Sequence, residues 1–382
     1  MKICILCFDL SNNSLGRAGL LAMALKSNHE VEIIGPSKSG NIWFPMKDIG
    51  IPIRSYPWKR YPFFISTIQK MIRDIDADIM IACKVRPTSY GIALIKKWAC
   101  HIPVILDIDD WELGFFYHSG FWGKVGRFFN FSNPNGLPYT WLLERFTNYA
   151  DSKIVSNRFL QKKFSGTLIY HCRDTTILDP KNFNSDRVKA KLGLKGKRVV
   201  MFLGTPRPHK GTAESLLAME KINAPDVRLV IIGADSSIQT QIQKMNNNQD
   251  KVIVLPQISF KELPDHLSAA DILVIPQKDT TDAQGQIPAK LFDAMAMAKP
   301  IITTPISDIP EVISEHGYLI EPGNPEQLAD TIKNIFANPK EAWAKGQNAR
   351  KRCQEFYDLK VMEKKLNLQI EKLFSPNPHS GT

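Results

Sequence analysis

Two short stretches place positive charge where a helix begins, the end at which its dipole is already positive. GTPRPHKG (204–211) lies between a strand-like run and a helix-like run. Gly204 and Gly211 permit tight turns, Pro206 and Pro208 stiffen the loop, and Arg207 and Lys210 bring two cations to the helix start. Such a pair calls for a compensating anion, and a diphosphate fits the spacing; the plain alternative is a solvated basic loop. In DTTDAQGQIPAKLFDAMAMAKPIITT (279–304), Pro288 and Pro300 delimit a helix with Lys290 in its first turn and Asp293 three residues on. The residues before it, Ala283 to Ile287 with Gln284, Gly285 and Gln286 between, can turn backbone amides toward an anion. The alternative there is a surface helix with an ordinary Lys290–Asp293 pair. A third stretch, VILDIDD (104–110), ends a strand with Asp107, Asp109 and Asp110, a string that suggests a divalent cation.

The elements that must position these residues alternate. KICILCF (2–8) is a strand followed by the helix SLGRAGLLAMALKSN, which carries Gly16 and Gly19. Strands follow at 30–36, 78–83, 103–108 and 152–156, with helices near 64–75 and 88–99 between them. After a polar, lysine-rich stretch at 180–198 the alternation resumes, with strands at 198–204, 227–233, 251–256, 271–276 and 300–304 and helices at 212–223, 235–247, 260–269 and 288–298. This is the pattern of parallel sheets covered on both faces, predicting two doubly wound α/β domains with ligands at the carboxyl ends of the strands. The reading divides the chain at 1–180 and 181–353, with a closing helix at 354–374 and a disordered tail at 375–382.

With 382 residues and 43% apolar side chains, the chain can bury two sizeable cores. Its apolar runs are too short for a spanning helix, and six scattered cysteines lack the density of a disulfide framework, so a cytoplasmic chain is expected. Cys4 and Cys7 fall on opposite faces of one strand and read as core cysteines. The formal charge of +11 favours anionic partners. No zinc-finger, RNP or helix-turn-helix pattern accompanies that charge, and no serine stands at a nucleophile elbow, so neither nucleic acid binding nor triad hydrolysis is expected.

The succession of Gly204, Lys210 and Gly211, then RLVIIG, then LPDHLSAADILVIPQ (263–277), then PAKLFDAMAMAKPIITT (288–304) resembles glycosyltransferase family 4, the retaining group 1 glycosyl transferases of GT-B fold. Weaker similarity runs through MKICIL, ADSKIVSNRFLQKKF (150–164) and YHCRDTTILDP (170–180), so that most of the chain is covered in order. The resemblance implies two Rossmann-like domains facing across a cleft, a closing helix that crosses back to the first domain, and retaining transfer of a sugar from a nucleotide diphosphate to a hydroxyl acceptor without metal or cofactor. It also implies that Arg207 and Lys210 stabilise the leaving diphosphate, that Asp293 holds the ribose hydroxyls, that Asp109 orients the acceptor, and that Gly16 brings backbone close to the donor. Two departures stand out: Thr205 replaces the usual arginine after the first glycine, leaving Arg207 to substitute, and Gly285 replaces the first of two acids seven residues apart. Asp282 or the amides at 284–286 are the expected replacements. Related GT-B chemistries, a sugar-nucleotide epimerase or a phosphorylase, and a binding subunit without catalysis are the alternatives.

A last expectation concerns the partner surface. Residues 43–64 and 111–146 hold 19 of the 36 aromatic side chains, and residues 1–183 carry 23 basic against 15 acidic groups. That combination predicts that the first domain docks on an anionic membrane to reach a lipid-linked or membrane-proximal glycan, with a buried insertion or acceptor-cleft lid as the alternative use of the rings.

Overall fold

The computed structural model describes residues 1–117, 121–245 and 249–375. It resolves into two compact units: Met1–Tyr170 together with the chain from Lys360 on, and His171–Leu359. The first unit is built on seven parallel strands, β1 (Lys2–Leu6), β2 (Glu30–Ser37), β3 (Ile53–Pro57), β4 (Ile79–Cys83), β5 (Val104–Ile108), β6 (Ser152–Val155) and β7 (Thr167–Leu168). Their order is β3-β2-β1-β4-β5-β6-β7. The second unit has six, β8 (Arg198–Leu203), β9 (Val227–Ile232), β10 (Val252–Leu255), β11 (Ile272–Ile275), β12 (Ile301–Thr303) and β13 (Tyr318–Leu319), ordered β10-β9-β8-β11-β12-β13. The central strands read as continuous apolar runs because helices cover both faces; every residue of β4, β5 and β11 is buried.

Strand order reverses between β1 and β4 in the first sheet and between β8 and β11 in the second. Chains leaving adjacent strands toward opposite faces open a crevice at the carboxyl edge, the position at which such sheets take ligands. Three of the chemistry-bearing stretches follow β8, β11 and β5 and therefore lie along these edges.

The division falls at Tyr170/His171 rather than 180/181, because the polar stretch expected to be a linker folds inside the second unit as the turn Pro180–Asn182 and the helix Ser185–Lys191. The single closing helix expected at 354–374 is two helices, Pro339–Phe356 in the second unit and Leu359–Phe374, which lies on the first from Lys360 onward. Met362, Leu366 and Ile370 form its buried stripe, whereas Leu368 is exposed. Glu363 accepts hydrogen bonds from Ser27 and Asn28, both at 2.7 Å, and Gln369 accepts one from Ser152 at 3.0 Å. The tail expected to be disordered lies, from residue 376, outside the described residues. Among the described residues no helix is long and apolar enough to cross a membrane.

Candidate functional site

In the second unit the chain leaves β8 through Gly204, at φ +101°, and enters the helix Thr212–Glu220 through Gly211, at φ +76°. A Cβ on Gly211 would lie 1.8 Å from the Pro276 carbonyl oxygen, so only glycine fits where this loop presses against the chain leaving β11. Between the two glycines Arg207 is extended and exposed, and Pro208–Lys210 form one tight turn. The Lys278 amide donates to the His209 carbonyl at 2.9 Å, and Lys278 Nζ stands 2.8 Å from Glu214 Oε1. The two loops of the switch point are thereby fastened together.

Lys290 begins the helix Ala289–Ala296, with Pro288 as the residue before it. Its ammonium is enclosed with no hydrogen-bond partner, 4.2 Å from the centre of the Phe202 ring. Burial pushes its pKa well below the ordinary lysine range, and the neighbouring Lys210 cation pushes it further. A ring face offsets only part of that cost. Four more polar atoms along this edge are enclosed without partners: Thr212 Oγ1, Glu214 Oε2, Gln277 Oε1 and Thr280 Oγ1. Folded proteins satisfy nearly all such atoms internally, so their concentration at one switch point marks a prepared polar site. Two mutually repelling ammoniums suit a dianion, and the carboxylate, amide and hydroxyl oxygens suit the hydroxyls of a sugar.

Several expectations need correction here. Asp293, expected to reach ribose hydroxyls, is 4% exposed, and both carboxylate oxygens accept from Arg173: Oδ1 from Nε, and Oδ2 from Nη2 at 3.2 Å. A buried carboxylate needs a cation, and Arg173 supplies it, so the Lys290–Asp293 pair does not form either. The amides of Gln284, Gly285 and Gln286 donate to carbonyls of their own turn, at Thr280 and Ala283, and so are not turned toward a ligand. Gln284 Nε2 instead reaches Asp279 at 2.7 Å, while the buried side chain of Ile287 leaves the expectation for its backbone amide unchanged. The side chain of Asp282 lies outside the described residues.

In the first unit the carboxylates at the end of β5 belong to cations. Asp107 accepts from Arg17 Nη2 at 2.9 Å, both groups fully buried, and Arg17 also donates to the carbonyls of Ile169 and Tyr170. Asp109 turns inward, 3.0 Å from Lys84 Nζ, and the same ammonium meets Asp110 and, at 3.1 Å, Glu112. Arg86 Nε donates to Glu112 at 2.6 Å. The divalent-cation reading of the aspartate string thus gives way to ion pairs within the chain. Asp110, with 19% of its side chain exposed against 8% for Asp109, is the acid nearer to solvent. Gly16 sits in the helix Ser14–Leu25, where an added Cβ would lie 3.4 Å from the Trp43 ring, an ordinary packing contact.

Lys84 holds this cluster from a left-handed conformation, φ +72°, which costs a side-chain-bearing residue about 1–3 kcal/mol. Burial raises the Asp110 carboxyl to about 6, with Asp109 and Glu112 adding to the rise against the opposing pull of Lys84. Between about pH 4 and 6 the folded state therefore keeps a proton that the unfolded chain releases, and stability falls as pH rises through that window. Lys84→Met is expected to deepen this dependence: a loss of about 3 kcal/mol at pH 7, recovered in large part at pH 5, in urea unfolding at the two pH values. A pH-independent loss would show that Lys84 acts through packing alone.

The sequence reading missed Lys84, Arg86, Glu112, Arg173, Glu214 and Gln277. Gln277 and Lys84 share one available signal, their place just after a central strand at the switch point.

Residues 184–352 match the family model of the glycosyl transferases group 1. Spore coat protein SA of Bacillus subtilis is 25% identical over 236 residues, 57% of this chain and 62% of that protein, so the chain spans less than two thirds of this relative's length. Sucrose-phosphate synthase of Thermosynechococcus elongatus superposes with a TM-score of 0.72 at 16% identity, over 98% of this chain and 99% of that one. HepE of Anabaena, solved in complex with UDP-glucose, gives a TM-score of 0.75 at 14% identity, over 97% of this chain and all of that one. The fold of this chain is GT-B, two parallel-sheet α/β units.

Proposed function

We propose that this chain, whose residues 184–352 match the model of the group 1 glycosyl transferases, moves a sugar from a nucleotide diphosphate donor to a hydroxyl acceptor with retention of configuration. The observation that carries the reading is the enclosed, unpartnered ammonium of Lys290 facing Lys210 at the switch point of the second sheet. Each ammonium gains most when a diphosphate lies between them, and negative charge grows there as the glycosidic bond breaks. Lys210 and Lys290 stabilise that leaving group, Arg207 closes over it from the loop, and Glu214 and Gln277 take hydroxyls of the donor. On the first unit, Asp110, with Asp109 behind it through Lys84, is the acid assigned to the acceptor hydroxyl. Neither metal nor further cofactor enters this scheme. The acceptor is a glycan or lipid-linked sugar of the cell surface.

A thermal-shift screen of the full chain against nucleotide diphosphates and their sugars tests the donor site, because a ligand that binds only the folded state raises its melting temperature. At least one diphosphate is expected to do so, and Lys210→Ala is expected to remove that shift and reduce turnover by about a hundred-fold. Turnover within a few-fold of wild type, or no shift with any nucleotide, would overturn the assignment.

A further inference from the structure

The aromatic side chains of the first unit divide into two sets. Tyr56 and Phe64 are core residues, at 3% and 0% exposure, whereas Phe63, Phe129 and Phe131 stand in solvent at 72%, 66% and 51%. Phe44, Trp98 and Tyr149 are exposed as well, but the loops that carry Phe63 and Phe131 are joined to each other. The Tyr61 amide donates to the Ser132 carbonyl at 2.8 Å, and the Tyr61 and Tyr139 rings meet edge to face at 5.3 Å. The Tyr139 hydroxyl in turn donates to the Phe131 carbonyl at 2.8 Å. Phe128, Phe129 and Phe131 continue the surface in a run of edge contacts at 5.7 and 6.3 Å. Two separate loops, each with a protruding phenylalanine, are thus held together. The stretches that supply them, 49–73 and 113–143, contain seven lysines and arginines and not one aspartate or glutamate. Lys59, Arg60 and Arg127 are exposed next to the rings, and Arg60 is fixed on the same loop by a 3.3 Å bond to Ser132 Oγ.

We infer that this face docks on an anionic lipid bilayer, the phenylalanines entering the headgroup layer while Lys59, Arg60 and Arg127 meet lipid phosphates. Exposed rings flanked by exposed cations such as Lys59, Arg60 and Arg127 are the chemistry of interfacial binding, in which apolar burial and attraction to anionic lipid add. A second copy of the chain is a poorer occupant, since a two-fold contact would set these cations against their own images. The inference goes beyond the transferase reading and does not depend on turnover, so the two succeed or fail separately.

The test floats the full chain with vesicles of phosphatidylcholine, alone or mixed with phosphatidylglycerol, at low and high salt. Wild type is expected to float with the mixed vesicles at low salt and to be released by high salt. The triple variant Phe63→Ser, Phe129→Ser, Phe131→Ser and the double variant Arg60→Glu, Arg127→Glu are each expected to weaken partitioning by at least about ten-fold with no change in melting temperature. A wild type that stays in the soluble fraction with mixed vesicles at low salt overturns the inference. Equal flotation with phosphatidylcholine alone, or undiminished flotation of either variant, does so as well. Self-association abolished by the serine variant, without flotation of wild type, would assign the face to a second copy instead.

Discussion

Lys290→Met is expected to raise the melting temperature of the ligand-free chain and at the same time abolish its response to nucleotide diphosphates. The ammonium is enclosed beside another cation without a hydrogen-bond partner, so a side chain of similar length and no charge relieves a cost that the folded state otherwise carries. A relief of about 1 kcal/mol corresponds to a rise of about 2–4 °C for a unit of this size. The sign with pH is also set. Because the folded-state pKa is depressed, the unfolded chain binds more protons between that pKa and the ordinary lysine value, and wild-type stability rises with pH across that interval. The variant loses this slope. Donor binding favours the protonated form, so wild-type affinity for a nucleotide diphosphate should weaken as pH rises toward the ordinary lysine range, and the variant should lack that dependence. Turnover should fall by about a hundred-fold or more. A variant that binds a nucleotide diphosphate as tightly as wild type would exclude Lys290 from the site.

Arg173→Met should be the most destabilising single change in the second unit. It leaves the Asp293 carboxylate enclosed with no cation, a defect of about 3–5 kcal/mol. Pairing it with Asp293→Leu removes the stranded charge and should restore most of the loss in urea unfolding. The pair also bears on the ribose assignment. If Asp293 serves only to hold Arg173, Asp293→Asn lowers stability and leaves nucleotide affinity unchanged; a large loss of affinity at unaltered stability would return the acid to the donor site.

The loops that matter were legible where local chemistry is self-contradictory. Lys210 and Lys290 each stand in or just before the first turn of a helix, against its dipole, and that conflict is visible without coordinates. The strands flanking them were legible as well, because a central parallel strand is apolar on both faces. The edge strand β3, with exposed Arg54 and Ser55, carries no such run, and β7 and β13 are two residues long. The partnership of Asp293 was illegible for a different reason. Arg173 lies 120 residues away, and a carboxylate three residues from a lysine on one helix reads locally as its partner. Asp109 and Asp110 look alike in sequence, and only the fold separates the acid that is turned inward from the one with more of its side chain exposed.

The first unit takes its closing helix from the far end of the chain, after all of His171–Leu359. During synthesis, then, the unit made first is the one completed last. As the second unit emerges, a contiguous segment able to close by itself, the groups of the first that await Met362, Leu366 and Ile370 stay uncovered. The usual order of N-terminal domain before C-terminal domain is inverted, and the nascent chain keeps an open apolar seam through the translation of an entire domain. A released chain truncated before Lys360 should show a protease-resistant second unit beside a first unit that is still cleavable.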